Sequence, residues 1–273
     1  FKRLRNSAGA FELVQELRHA MYEQTDEDSS LLAGSTRATL NNQILGKMQD
    51  VLEQFSREID AARHMFNTKR RCPPINRDQP PVAGSIHWAR SLFYKLRVTM
   101  RLFTACVHDQ DTMRNTPAAQ QVNAKFVALA KLVMNYEKQR LSTWKDNIEN
   151  TLTTCLTVPV LAKNDQLLYV NFRPELASLI KETQDLERLG FEVPPSARGV
   201  ALQNEKYRCY QSSLGKIISR RKTLFDSLTP LEEQLLEQRI SALNGVALRP
   251  GLTTYNWNSL GIPDFVRSYD IEL

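Results

Sequence analysis

From Ile86 to Val107 the apolar residues fall in alternating steps of three and four: Ile86, Ala89, Phe93, Leu96, Met100, Phe103 and Val107. A helix of 3.6 residues per turn gathers such a series on one side, whereas a strand, with its period of two, scatters it over both faces. The stripe lasts about three heptads, as in helix-pair packing. The same spacing recurs upstream in Leu40, Ile44, Met48, Val51, Phe55, Ile59, Ala62 and Phe66, enough for about eight turns, and downstream in Val122, Phe126, Leu129, Val133 and Tyr136. Between the last two stripes lies the polar break Asp109–Asn115, and Thr116-Pro117 has the form of a helix start, a capping hydroxyl followed by proline at the first helical position. A short break between two long stripes predicts an antiparallel helical hairpin.

Composition agrees with a helical chain. Glycine is scarce, 10 in 273 residues, which argues against Gly-rich phosphate loops and a turn-dense all-β fold. Hydrophobic residues make up 42%, enough for a core, and the charged residues (36 Lys+Arg, 30 Asp+Glu) are mixed in sign, so disorder is not expected. No run approaches the ~18 consecutive apolar residues of a membrane span, and a soluble chain is expected. The chain begins at Phe1 without an apolar stretch after it, so no signal peptide is read, and the whole reads as an excerpt of a longer protein.

One segment departs from helical spacing. Leu156–Leu161 and Gln166–Phe172 are short β-prone runs around the turn composition Lys163-Asn164-Asp165, and together they predict one β-hairpin, with Pro159 at an edge. Such a hairpin needs helices to pack on. Helices resume after Pro174 with the stripe Leu176, Leu179, Ile180, Thr183, Leu186 and Leu189, closed by Gly190 as a C-terminal cap. Pro194-Pro195 is a rigid link; helices over Ser196–Ser227 and Pro230–Leu243 follow, and Pro250–Pro263 reads as a loop with Trp257 as packing anchor.

No nucleotide-binding glycine motif and no H-E-x-x-H occurs. His19, His64, His87 and His108 are isolated, and Cys72, Cys106, Cys155 and Cys209 are far apart, so free thiols in a reducing compartment are expected, with no metal and no cofactor. The basic clusters Lys69–Arg71 and Arg220–Lys222 read as solvated helix ends, without the interleaved aromatics of a single-strand nucleic-acid platform. From the residues alone this is a helical segment without a visible active site, of a kind that binds or spaces partners.

Three stretches carry a resemblance. Cys72–Leu92, which contains Pro80-Pro81-Val82-Ala83-Gly84-Ser85-Ile86-His87-Trp88-Ala89-Arg90, closely resembles the "PPVAG-x-I-x-WAR" signature of dynein heavy chain tails. Leu168–Leu176, with Asn171-Phe172-Arg173-Pro174, followed by Leu186–Pro194, is similar to a second segment of the same tail. Leu248–Thr253, with Pro250-Gly251, and Asn256–Ile262, with Trp257, are similar to a third. Arg173 stands where the family often has an acidic residue, and Gly261 where a polar one is commoner.

Physical readings stand beside the resemblance. Pro80-Pro81 sets the chain into a helix, Gly84 allows close backbone approach, Trp88 buries a large surface, Arg90 can meet a carboxylate across the bundle, and Asn171, Phe172 or Arg173 can cap the helix at Pro174. The site expected from Pro80, Pro81, Gly84, Trp88, Arg90, Asn171, Phe172, Pro174, Gly190, Pro194, Pro250, Gly251 and Trp257 is therefore structural, with no catalytic residue.

The resemblance implies a mainly all-α fold of elongated consecutive helical bundles with one small β-hairpin near 156–172. It divides as an N-terminal helical segment over 1–68, a helical hairpin bundle over 69–155, the β-hairpin plus helix over 156–195, and C-terminal helices with the Pro/Gly/Trp loop over 196–273. It implies a stem without enzymatic activity, the ATP-hydrolysing AAA+ modules lying downstream. Its partners would be dynein intermediate chains, light chains and other heavy chains, with docking to a doublet microtubule through the larger complex, and neither nucleic acid nor membrane. The motif form looks axonemal, which places the chain in the cytoplasm and cytoskeleton, at the axoneme of a cilium or flagellum. A cytoplasmic tail segment for cargo attachment, and a basic helical binder of nucleic acid or anionic surfaces, are the alternatives.

Overall fold

The computed structural model describes residues 9–13, 15–16, 19, 33–108, 116–164 and 167–273. The contacts divide the chain into two compact units, residues 1–140 and 141–273.

The first unit carries helices α1 (Ala33–Lys69), α2 (Pro81–His108) and the beginning of α3 (Pro117–Leu156). The three stripes are its core. Met48, Val51, Phe55, Ile59 and Phe66 of α1, Ile86, Ala89, Leu96 and Phe103 of α2, and Val122, Leu129 and Val133 of α3 are all buried. Leu40, Ile44, Cys106, Val107 and His108 have side chains outside the described set. Each large apolar side chain buried this way contributes about 1.5–3 kcal/mol. Aromatic rings lock the seam: Phe66 stacks on Trp88 at 5.9 Å and meets Tyr136 edge-on at 5.3 Å. The Ala119 N–H donates to Thr116 Oγ1 at 3.3 Å, so the expected cap of α3 is present.

The residues before α2 explain its start. Pro80 is buried, Pro81 opens the helix, and the Gly84 N–H donates to the Pro80 carbonyl at 2.8 Å. A Cβ on Gly84 would sit 2.5 Å from Ile75 Cγ2 and 3.2 Å from Gln79 Cβ. The Pro-rich link thus folds back onto the first turn of α2, in room that glycine alone leaves.

The second unit holds the remainder of α3, the strands β1 (Leu161–Asn164) and β2 (Leu167–Val170), and then α4 (Pro174–Arg188), α5 (Pro195–Leu202), α6 (Asn204–Ser227), α7 (Pro230–Leu235), α8 (Glu237–Ala242), a π-helical turn (Leu243–Ala247), α9 (Arg249–Thr253) and α10 (Ile262–Glu272). The strands pair antiparallel, Leu161 opposite Val170 and Asn164 opposite Leu167. The chain is mainly helical with one small hairpin, as the periodicity predicts. Helix α4 ends as expected: Gly190 has φ 84°, its N–H donates to Glu187 O at 2.9 Å, and the Phe191 N–H donates to Leu186 O at 3.0 Å, the paired bonds of a Schellman cap.

Four boundaries differ from the sequence expectation. The first strand begins at Leu161 rather than Leu156, because Cys155 and Leu156 are still the buried end of α3. The helix expected over Ser196–Ser227 is two helices, divided at Gln203. The one expected over Pro230–Leu243 is divided at Leu236 and runs into the π-helical turn. The stretch read as loop over Pro250–Pro263 holds α9, and Pro263 lies in the first turn of α10. There proline sits at the first turns of two helices, a position its fixed φ suits.

The fold makes two glycines opposite in behaviour. A Cβ on Gly251 would lie 2.6 Å from Phe265 Cζ and 2.7 Å from Leu161 Cδ1, whereas one on Gly215, inside α6, meets nothing within 4 Å. Gly251→Ala is expected to destabilise the chain by about 1–3 kcal/mol through overpacking. Gly215→Ala is expected to stabilise it by about 0.5–1 kcal/mol through helix propensity. Urea unfolding of both variants checks the pair.

Candidate functional site

The family-resembling residues fall into two structural groups. Pro80, Pro81, Gly84, Trp88 and Arg90 set the entry and packing of α2. Asn171, Phe172, Pro174, Gly190, Pro194, Pro250, Gly251 and Trp257 belong to the second unit.

In the first group, Arg90 finds its carboxylate. Its Nε donates to Glu137 Oε1 at 3.0 Å and its Nη2 to Glu137 Oε2 at 3.1 Å, a bidentate fork between α2 and α3. Both side chains are largely covered, at 23% and 13% exposure. The hydrogen-bonded carboxylate holds the guanidinium above its ordinary pKa, against the opposing effect of burial. Lys125 adds a second tie, to Ser56 Oγ at 2.8 Å and to Asp60, joining α3 to α1.

In the second group a seam forms around Trp257, which is fully buried. The Trp257 Nε1–H donates to the Asn171 carbonyl at 3.0 Å, and the Trp257 N–H donates to the Leu156 carbonyl at 3.2 Å. The Val160 N–H donates to Tyr255 O at 3.0 Å, and the Asn171 N–H to Val160 O at 2.9 Å. The Asn171 amide Nδ2–H donates to Pro159 O at 3.0 Å, and Phe172 meets the indole edge-on at 4.9 Å. Residues 156–160, expected as part of the hairpin's first strand, are instead stitched to the C-terminal segment, through the bridge between Pro159 and Asn256 as well. Asn171 does not cap α4: the cap position belongs to Arg173, which makes no side-chain capping bond. Pro174 opens α4, and Pro194 caps α5 with Pro195 at its start. Gly251 is pressed between Leu161 and Phe265.

Sequence reasoning missed Pro159 and Leu156 as acceptors and Glu137 as the partner of Arg90. A carbonyl carries no residue-type signal, and Glu137 is one of several carboxylates on α3. Among the described residues no three His, Cys, Asp or Glu side chains gather as a metal site, and no described helix is long and apolar enough to cross a membrane. His19, His64 and His87 are exposed. Of the basic clusters, Lys69 lies in the last turn of α1, and Arg220 and Arg221 contact Asp270 and Asn244. The polar groups of Arg90, Asn171 and Trp257 hold helices, hairpin and C-terminal segment together.

The comparisons with known proteins agree. The profile of the family described as dynein heavy chain, N-terminal region 1, matches residues 1–265. The chain is 34% identical over 272 residues to the dynein-1-alpha heavy chain of the flagellar inner arm I1 complex of Chlamydomonas reinhardtii, covering 99% of this chain and 6% of that protein. It is 31% identical over 230 residues to human dynein axonemal heavy chain 10, covering 79% of this chain and 5% of that protein. Against rat dynein axonemal heavy chain 5 it is 29% identical over 261 residues, covering 94% and 7%. The chain belongs to the dynein heavy chain family and corresponds to the N-terminal region, a small part of each relative's length.

Two outcomes follow from the site. Trp257→Ala is expected to destabilise the chain by about 3–5 kcal/mol. Trp257→Phe, which keeps most of the volume but leaves the Asn171 carbonyl without its donor, is expected to cost about 1–3 kcal/mol; urea unfolding separates the two. Burial, with Glu175 adding to it, pushes the Cys155 thiol above its ordinary pKa, so less thiolate forms at a given pH, while Cys72 and Cys209 are exposed. Maleimide labelling followed by peptide mass mapping is expected to modify Cys72 and Cys209 in the native chain, and Cys155 only after denaturant is added.

Proposed function

We propose that this chain is a non-catalytic stem segment of a dynein heavy chain, a scaffold on which other heavy chains, intermediate chains and light chains assemble. Through that complex the motor is held on the doublet microtubule of a cilium or flagellum. The observation that carries this reading is the family match across residues 1–265, confined to the N-terminal region. Its support is physical as well. The polar side chains of the family-resembling motifs, Arg90, Asn171 and Trp257, are engaged with Glu137 or with backbone. The axonemal form of the reading draws on relatives named axonemal and flagellar. A stem that carries cargo in the cytoplasm is the alternative. A charge-driven nucleic-acid binder would need its cations gathered on a track, and the net charge of +6 is spread among 30 acidic residues.

The test is affinity capture from ciliary extract on the purified chain, with mass spectrometry of what stays bound at physiological salt. Recovery of dynein intermediate chains, light chains or other heavy chains is expected, together with no ATP turnover by the chain itself. Recovery of nucleic acid or lipid alone, lost as salt rises, would overturn the reading.

A further inference from the structure

Helix α2 carries Arg90, Lys95, Arg97 and Arg101 and, over its whole length from Pro81 to His108, not one Asp or Glu. Arg90 is matched by Glu137. Lys95, Arg97 and Arg101 are exposed, and among the described residues none of the three forms an ion pair; Arg97 instead lies over the Tyr94 ring at 5.9 Å. Arg97 and Arg101 are four residues apart and so share one face of the helix.

That face borders an open cleft of about 410 Å³, lined by Arg97, Met100, Arg101, Thr104, Ala105 and Phe126. Its volume falls within the roughly 300–1,000 Å³ that holds a ligand-sized group. Met100 and Phe126, both half-buried against the core, supply the apolar walls. Beside it, Tyr94 is 49% and Val98 57% exposed. An apolar cleft rimmed by two guanidinium groups one helical turn apart, neither ion-paired among the described residues, is complementary to one kind of surface: apolar side chains with carboxylates beside them.

We propose that this face of α2 docks an acidic amphipathic helix of a partner protein. Apolar side chains at i, i+3 and i+4 enter the cleft against Met100 and Phe126, and flanking carboxylates meet Arg97 and Arg101. A nucleic-acid strand fits less well, since its regularly spaced phosphates would take the arginines and leave the apolar walls uncovered. This assignment rests on the stem reading above, and it names the chemistry of one partner.

The probe is a synthetic helical peptide with leucines at i, i+3, i+4 and i+7 and glutamates on the flanking positions. It carries a fluorophore and is titrated with the full 273-residue chain by fluorescence anisotropy. A peptide with lysine at each glutamate is the control. The acidic peptide is expected to bind and the basic one not, with binding weakening as salt rises. The double variant Arg97→Glu/Arg101→Glu is expected to weaken it about tenfold or more. Ala105→Trp, which fills the cleft from an exposed position and leaves every charge in place, is expected to weaken it comparably. Circular dichroism confirms that both variants stay helical.

Equal binding of both peptides, or unchanged binding by both variants, overturns the proposal. So does a single-stranded RNA that binds through Arg97 and Arg101 when the acidic peptide does not. A salt-sensitive dimer of the chain, abolished by the same charge reversal, overturns it in favour of a second copy as occupant. Capture from ciliary extract with the unaltered chain separates the two levels. Dynein subunits recovered by an unaltered chain that does not bind the acidic peptide sink the cleft assignment alone. No subunits recovered by the unaltered chain, with the peptide binding as expected, sinks the stem reading and leaves the chemistry of the cleft standing.

Discussion

The indole N–H of Trp257 reaches the Asn171 carbonyl, 86 residues earlier in the chain, and the second unit depends on that bond and the seam around it. Closing so long a loop costs entropy, though slowly with length. Here the cost is offset by the burial of an entire tryptophan and by several backbone bonds that form together. The two strands alone could not hold, because they pair over only four residues each. They are fixed because Leu161 packs against the buried Gly251 and because Asn171, one residue beyond β2, binds both Pro159 and Trp257. The hairpin, the end of α3 and the approach to α10 therefore meet at one side chain.

The first unit is held in a different way. Its stripes bury Phe55, Ile59, Ile86 and Leu129 almost completely along helices close in sequence. Such apolar packing tolerates sliding more readily than a hydrogen-bonded seam does. The Arg90–Glu137 fork and the Lys125 tie remove that freedom, since a slip of one turn would part both. Arginine suits the α2 position because its planar fork fits a carboxylate with two parallel bonds, which a lysine cannot reproduce. A rigid, register-fixed bundle is what a stem requires if it is to present surfaces such as the α2 cleft at set positions.

Much of this was legible in the sequence, and the remainder was hidden for identifiable reasons. The long helices were readable because every third or fourth residue from Met48 to Phe66 and from Ile86 to Phe103 is apolar. Thr116 and Gly190 marked their helix ends, because capping chemistry is local. The first strand was placed five residues too early, because Leu156–Val160 has β-prone composition while its backbone partners, Tyr255 and Trp257, lie about a hundred residues away. Only Ile262 and Pro263, the start of α10, fall inside the Pro250–Pro263 stretch read as loop, because its Gly, Pro and Asn content masks a helix start. That Arg90 can meet a carboxylate is legible from its place beside the apolar stripe of α2; that the carboxylate is Glu137 depends on how α3 lies against α2. The α2 cleft carries a sequence signal as well, the absence of any acidic residue over 28 positions, which becomes informative only once Arg97 and Arg101 are seen to pair with no carboxylate among the described residues.

Hydrogen exchange resolved to single amides tests the central claim most directly. If the Trp257 seam closes the second unit, the N–H groups of Val160, Asn171 and Trp257 open only with the unit as a whole. They should then exchange as slowly as the amides of Leu179 and Ile180 in the buried stripe of α4. Exchange of those three amides at the rate of exposed loop positions such as Leu260, with α4 still protected, would contradict the account: the seam would then be a late addition to a unit that α4 and its neighbours hold together without it.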